Sequence, residues 1–260
     1  MRKRLTIFVS LFMLLPAFAA MVLVYREHIT QSDEIIQFMR SHYGLFDENK
    51  KIWRQEPSSE HDVIDTQAYE VCAENFGARN EKVVLLAVCS VPDEPDGAHG
   101  DSGLIELYAI DRSTGQLNVV ASLKTDGIGS HGHPGDVKVV QLGKSFWGFQ
   151  VEGGGIWQGT VVSSIVIYVP QKNSFKEAMA IRSTLNNFGS LSCKACQSTG
   201  VNIERSVEIV ADGKSKLYPL RIVESGERHG HVVKNTYEAK FDARKWSYIY
   251  PRAIDVAEDN

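Results

Sequence analysis

The 260-residue chain predicts a mainly β fold in an exported protein, and three observations carry that reading. Arg2-Lys3-Arg4 runs straight into an apolar stretch over residues 5–25, a membrane-directed start. From about residue 68 onward, short apolar runs are separated by turn residues, with no regular intervening helices. The four cysteines are an even count, which in an exported chain favours disulfides. The expected architecture is an antiparallel β-sandwich, barrel or small propeller-like domain over residues 67–260, preceded by an N-terminal signal or anchor helix and a short helical stem. No repeat is regular enough to mark propeller blades.

Residues 1–26 admit two readings. In one, residues 5–15 are the core of a cleavable signal peptide, Pro16 ends its helix, and Ala17-Phe18-Ala19 offers a small-x-small site with cleavage before Ala20. In the other the segment stays uncut. Residues 21–25 then bring the apolar run to the ~20 residues a bilayer needs, and the chain meets the membrane through residues 5–25. The basic cluster stays in the cytoplasm and the body outside. Because the apolar run continues past the candidate cut, the anchor is slightly favoured. Either way the body is exported, held at an inner membrane with a periplasmic body, or periplasmic or secreted.

Residues 27–66 read as a helical stem and linker. Ser32 or Asp33 caps a helix in which Ile35, Ile36, Phe38, Met39 and Tyr43 recur at helical spacing, and the helical reading extends to residue 54 with Gly44 ending the first helix. Residues 55–65, with Pro57-Ser58-Ser59-Glu60, are a polar linker.

Strands follow over 82–91, 104–110 and 117–123, the last two joined by Asp111-Arg112-Ser113-Thr114-Gly115. Further strands are expected at 137–142, 146–152, 160–169, 175–181, 207–210, 217–223, 232–241 and 246–250. Ala211-Asp212-Gly213-Lys214 marks a hairpin. Residues 183–205 are polar and strand-poor, a long loop or a joint. The composition, 43% hydrophobic and 23% charged, is that of a chain able to bury a core. With a net charge of −4 no basic face is expected, and nucleic acid is excluded as a partner.

Cys72 and Cys89 flank a turn near residue 80, which brings them opposite each other across two strands, within disulfide reach. Cys193-Lys194-Ala195-Cys196 is a C-x-x-C; without a βαβ context it reads as a small structural disulfide ahead of a redox centre. His131-Gly132-His133 and His229-Gly230-His231 repeat one tripeptide. On extended backbone each would turn two imidazoles to one side, and the two copies together would suit copper or zinc. Read singly, each is a loop tip. Trp147 and Trp157 near Gly153-Gly154-Gly155 are candidates for a ligand groove, although aromatics in a β-domain are more often core. Asp93, Glu94, Asp96 and Asp101 lack the spacing of a calcium loop and read as a solvated turn. Gly100-Asp101-Ser102-Gly103 resembles the nucleophile motif of chymotrypsin-like serine proteases over four residues. Leu104 departs from that motif and no histidine motif precedes it, so it reads as a loop before a strand.

No complete catalytic set emerges. The leading expectation is a binding or assembly protein of the cell envelope without catalysis or cofactor, its ligand an envelope protein or a glycan. A copper or zinc protein or metal-dependent hydrolase built on the two histidine pairs is the alternative. Thiol–disulfide exchange at Cys193 and Cys196 is the third.

Overall fold

A computed structural model of the chain describes residues 32–54, 67–78, 81–92 and 99–254. The signal or anchor segment, the linker over 55–65 and the acidic residues Asp93, Glu94 and Asp96 lie outside the described residues. Helix α1 (Asp33–Tyr43) is capped by the Ser32 hydroxyl, which accepts the amide of Ile35. Asp33 and Glu34 sit in its first turn and Arg40 and His42 in its last, matching the helix dipole. Gly44, at φ +83°, ends it.

The chain then turns back as a hairpin of β1 (Leu45–Asp47) and β2 (Ile52–Arg54), which corrects the helical reading of residues 45–54. The Asp47 carboxylate accepts the amides of Asn49 and Lys50, and Lys51 takes a left-handed φ of 59°; together these fold a turn where a helix would need to continue.

Strands β1 to β6 form one sheet in sequence order, continuing with β3 (Ala68–Glu74), β4 (Val83–Val91), β5 (Leu104–Asp111) and β6 (Asn118–Asp126). Strands β7 (Asp136–Gly143), β8 (Phe146–Trp157), β9 (Thr160–Gln171), β10 (Ser174–Asn186), β11 (Val201–Ile209), β12 (Leu220–Arg228), β13 (His231–Asp242) and β14 (Ser247–Ile249) form a second, eight-stranded sheet, again in sequence order. All pairings are antiparallel, and neither sheet closes into a barrel. The polar stretch over 183–205 is therefore mostly strand. Thr184, Leu185 and Asn186 on β10 pair with Glu204, Ile203 and Asn202 on β11, leaving only residues 187–200 as a connection.

Three apolar layers hold these parts. Val84, Leu86 and Val88 of β4 face Ile35, Phe38, Met39 and Trp53, while Leu85, Ala87 and Cys89 face the second sheet. That two-sided burial explains the unbroken apolar run at 82–91. Phe149, Val151, Val166, Tyr168 and Phe175 answer from the second sheet. Ile165, Ile167 and Val169 of β9 bury the opposite face against Leu220, Ile222, Ala239, Tyr248 and Ile254.

Candidate functional site

Past Glu152, where β7 ends its pairing with β8, strands β8 to β13 run on as an apron, half-buried on β9 and β10 and largely exposed on β13. On β12, Leu220, Ile222 and Glu224 are buried in alternation; on β11, Arg205 falls on the same parity as Val201 and Ile203. Within this buried parity lies an ion pair, Arg205 Nε to Glu224 Oε2 at 2.6 Å, with side chains 1% and 4% exposed. Arg205 also donates to the Arg182 carbonyl at 2.9 Å, and the other Glu224 oxygen accepts from Asn235 and the Tyr237 hydroxyl. Burial alone would raise the Glu224 carboxyl; the hydrogen bonds from Arg205 and Asn235, with the Arg205 charge, outweigh it and hold the group below the ordinary carboxylate range. This polar seam links β11, β12 and β13 through side chains as well as through their ladders.

Beyond the seam, β13 is the notable edge. Its inner side pairs with β12 from Leu220↔Ala239 to Arg228↔His231. Its outer side pairs with β14 only at Lys240, Phe241 and Asp242. Among the described residues no strand lies along the outer side of residues 232–239. The two-residue turn His229-Gly230 makes Arg228↔His231 the closing hydrogen-bonded pair, so odd-numbered residues of β13 bond to β12 and even-numbered ones point outward. The Asp242 carbonyl, which accepts the Trp246 amide on the β14 side, has the same parity. Lys234, Thr236 and Glu238 therefore offer backbone donors and acceptors to solvent. Of the other edges, β1 and β14 have three residues each, the Ser122 amide of β6 donates to the Asn173 carbonyl, and on the eight-residue β7 the Leu142 carbonyl accepts the Tyr218 amide.

Both cysteine pairs are disulfides. Cys72 sits at a bulge of β3 diagonal to Cys89, with Cα atoms 5.8 Å apart. Cys193 stands just before the 3-10 helix Lys194–Thr199 and Cys196 within it; Cys193 is exposed and its sulfur lies 3.0 Å from the Cys196 amide. Two disulfides point to an oxidising, exported location. No described helix is long and apolar enough to cross a membrane.

The histidine pairs are not brought together. His131 and His133 lie in the loop joining the two sheets, and His229 and His231 at the β12–β13 turn. No group of three or more His, Cys, Asp or Glu suited to a metal ion occurs among the described residues. Turn geometry explains the repeated tripeptide: His131-Gly132 takes φ of 58° and 77°, and His229-Gly230 takes 53° and 77°. Successive left-handed residues make type I′ turns, which favour glycine second and tolerate histidine first. His131 instead packs its ring 4.1 Å from that of His99. Ser102 lies in the loop before β5, where its carbonyl crowds Gly127.

Trp147 and Trp157 lie at opposite ends of β8, on the order of 33 Å apart at ~3.3 Å per residue. The structure thus gives them separate surroundings. Trp147 packs on the inter-sheet core and Trp157 lies over Gly155. A shallow groove of about 520 Å³ lies elsewhere, lined by Trp246, Phe241, Lys216, Asp212, Glu238 and Lys240.

No protein-family model, curated protein or solved structure matches this chain.

One further titratable cluster lies under α1. Glu106 accepts the hydroxyls of Tyr43 and Tyr108 on one oxygen and Lys124 on the other at 2.9 Å. Burial and these contacts raise both phenols, so neither is poised as a base or nucleophile at neutral pH. The cluster ties α1 to β5 and β6.

Proposed function

We propose that the chain is an exported binding or assembly protein of the cell envelope that takes a partner strand along the outer edge of β13. Strand addition supplies affinity through main-chain hydrogen bonds, with alternate side chains setting specificity. The observation that carries this reading is the asymmetry of β13, paired along one side and, among the described residues, without a strand along residues 232–239 on the other. The two disulfides support the oxidising compartment. Residues 5–25 then hold the body at the inner membrane, or release it into the periplasm if the leader is cut. A photo-crosslinking residue at Lys234, in the full chain in living cells, is expected to give discrete adducts that Thr236→Pro abolishes. Proline removes one outward amide and leaves the β12 ladder intact. Adducts that survive Thr236→Pro in a folded chain refute the reading.

Thiol–disulfide exchange is a second reading, favoured by the exposed Cys193 and the amide aimed at its sulfur. A thiolate of a dithiol partner attacks the Cys193 sulfur, forming a mixed disulfide and releasing Cys196 as thiolate. The partner's second thiolate then attacks the mixed disulfide and releases Cys193, so two electrons pass from partner to protein. Reduction of this pair at glutathione ratios that leave Cys72–Cys89 oxidised would support it; equal resistance of the two disulfides would refute it.

A further inference from the structure

We infer that the strand received by β13 is the β13 of a second copy of this chain, paired antiparallel about a two-fold axis at Thr236. This rests on the open-edge reading above. A two-fold axis at Thr236 sets residue 234 against 238 of the other copy and 236 against 236. The facing pairs 236/236 and 234/238 belong to the outward, even-numbered set and each exchanges two N–H···O bonds, alternating with the non-hydrogen-bonded pairs 235/237 and 233/239. An axis midway between two residues would set outward-bonded against inward-bonded groups, whereas an axis at residue 235 or 237 keeps even against even but brings Lys234 opposite Thr236 or Lys240 instead of a carboxylate. The span this register uses, residues 233–239, ends where β14 begins its own pairing at Lys240.

Charge complementarity selects the same register. Lys234 faces Glu238 of the other copy on both sides of the axis, and both side chains are exposed. Within one copy Glu208 on β11 stands opposite Arg221 on β12, with an ion pair at 3.1 Å, and Arg221 stands opposite Glu238 on β13. The next position in that row, across the axis, is Lys234. The alternation of sign therefore continues unbroken from one sheet into the other. Glu238 also lies 3.5 Å from Lys240 within its own strand, a contact the pairing need not break. At the axis, two threonines meet, a favourable cross-strand pair. The product is two eight-stranded sheets joined edge to edge.

The test uses the full chain, in mild detergent if the leader is retained, with mass followed by light scattering across a concentration series. The expected result is a concentration-dependent dimer whose dissociation constant rises at least tenfold in Lys234→Glu and in Glu238→Lys. The double exchange is expected to return it to within about threefold, because the facing charges are again opposite. All native cysteines are in disulfides, so introduced thiols report cleanly. Thr236→Cys is expected to cross-link to itself under mild oxidation or with a short bismaleimide. Lys234→Cys and Glu238→Cys are expected to cross-link only when mixed. A chain monomeric at all concentrations, or single reversals without effect, overturns the inference. If the chain is monomeric while Thr236→Pro still abolishes envelope adducts, the occupant is a different protein and only the self-pairing fails. If no adducts form at all, the open-edge reading fails with it.

Discussion

Replacing Glu224 with glutamine keeps the volume of the side chain but removes its charge and leaves the Arg205 guanidinium, 1% exposed, without its anion. Removing one partner of a buried ion pair costs roughly 3–5 kcal/mol, because the remaining charge stays desolvated. Glutamine also turns a donor amide toward Arg205, Asn235 or Tyr237, each of which now donates to the carboxylate. Domains of this size lose roughly 2–4 °C of melting temperature per kcal/mol, so Glu224→Gln should melt on the order of 10 °C lower. Circular dichroism of the disulfide-intact chain, heated and titrated with guanidinium, reads both quantities. The paired change Arg205→Met with Glu224→Leu removes both charges and should recover most of the loss, since an apolar pair of similar volume often matches a buried ion pair. A Glu224→Gln variant within about 1 kcal/mol of the parent would show that Arg205 is solvated or otherwise compensated, and the seam would not be what links β11, β12 and β13.

Other expectations follow from the same structure. Glu224 and Glu106 are both held below their ordinary value of 4.5, so the stability they contribute is full above that pH and is lost as pH falls through their folded-state values; acid titration of the melting temperature should show this fall, reduced in Lys124→Met. Gly132 and Gly230 share a φ of +77°, but an added Cβ meets Pro92 at 2.8 Å in the first and nothing in the second. Gly230→Ala should therefore cost about 1–2 kcal/mol of strain and Gly132→Ala more, as compared by denaturant midpoints. Changing Cys72 and Cys89 together to alanine should cost about 3 kcal/mol, given a sequence separation of 17. Zinc or copper titration of the full chain should show no tight stoichiometric site that His131→Ala with His231→Ala removes, because the histidine pairs do not converge.

The strands backed by the core were legible because burial writes itself into sequence. At β4 both faces are buried and the run is continuous; at β12 one face is buried and Leu220, Ile222 and Glu224 alternate with exposed residues. The pairing over 183–205 was not legible, since Thr184 and Asn186 of β10 carry no apolar period and the period-two run of β11, Val201, Ile203, Val207 and Ile209, is interrupted at its centre by Arg205 and follows the polar connection over 187–200. The three-residue strands β1 and β2 are too short to show one. The repeated histidine tripeptide was a real signal of backbone conformation, a left-handed residue followed by glycine. Arg205 and Glu224 did leave a mark: each is a charge on an otherwise apolar parity of its strand, and two such charges on neighbouring strands point to a buried pair. The open side of β13 had no such mark, because it depends on where the short strand β14 stops.

Residue-resolved hydrogen exchange along β13 tests the open edge most directly. In dilute full chain, the amides of Lys234, Thr236 and Glu238 are expected to exchange rapidly while those of Val233, Asn235 and Tyr237, bonded to β12, exchange slowly. The three fast amides are then expected to slow as concentration rises or an envelope partner is added. Slow exchange at all six positions in the dilute chain would mean that another part of the same molecule already covers this edge, contradicting a site open to a partner.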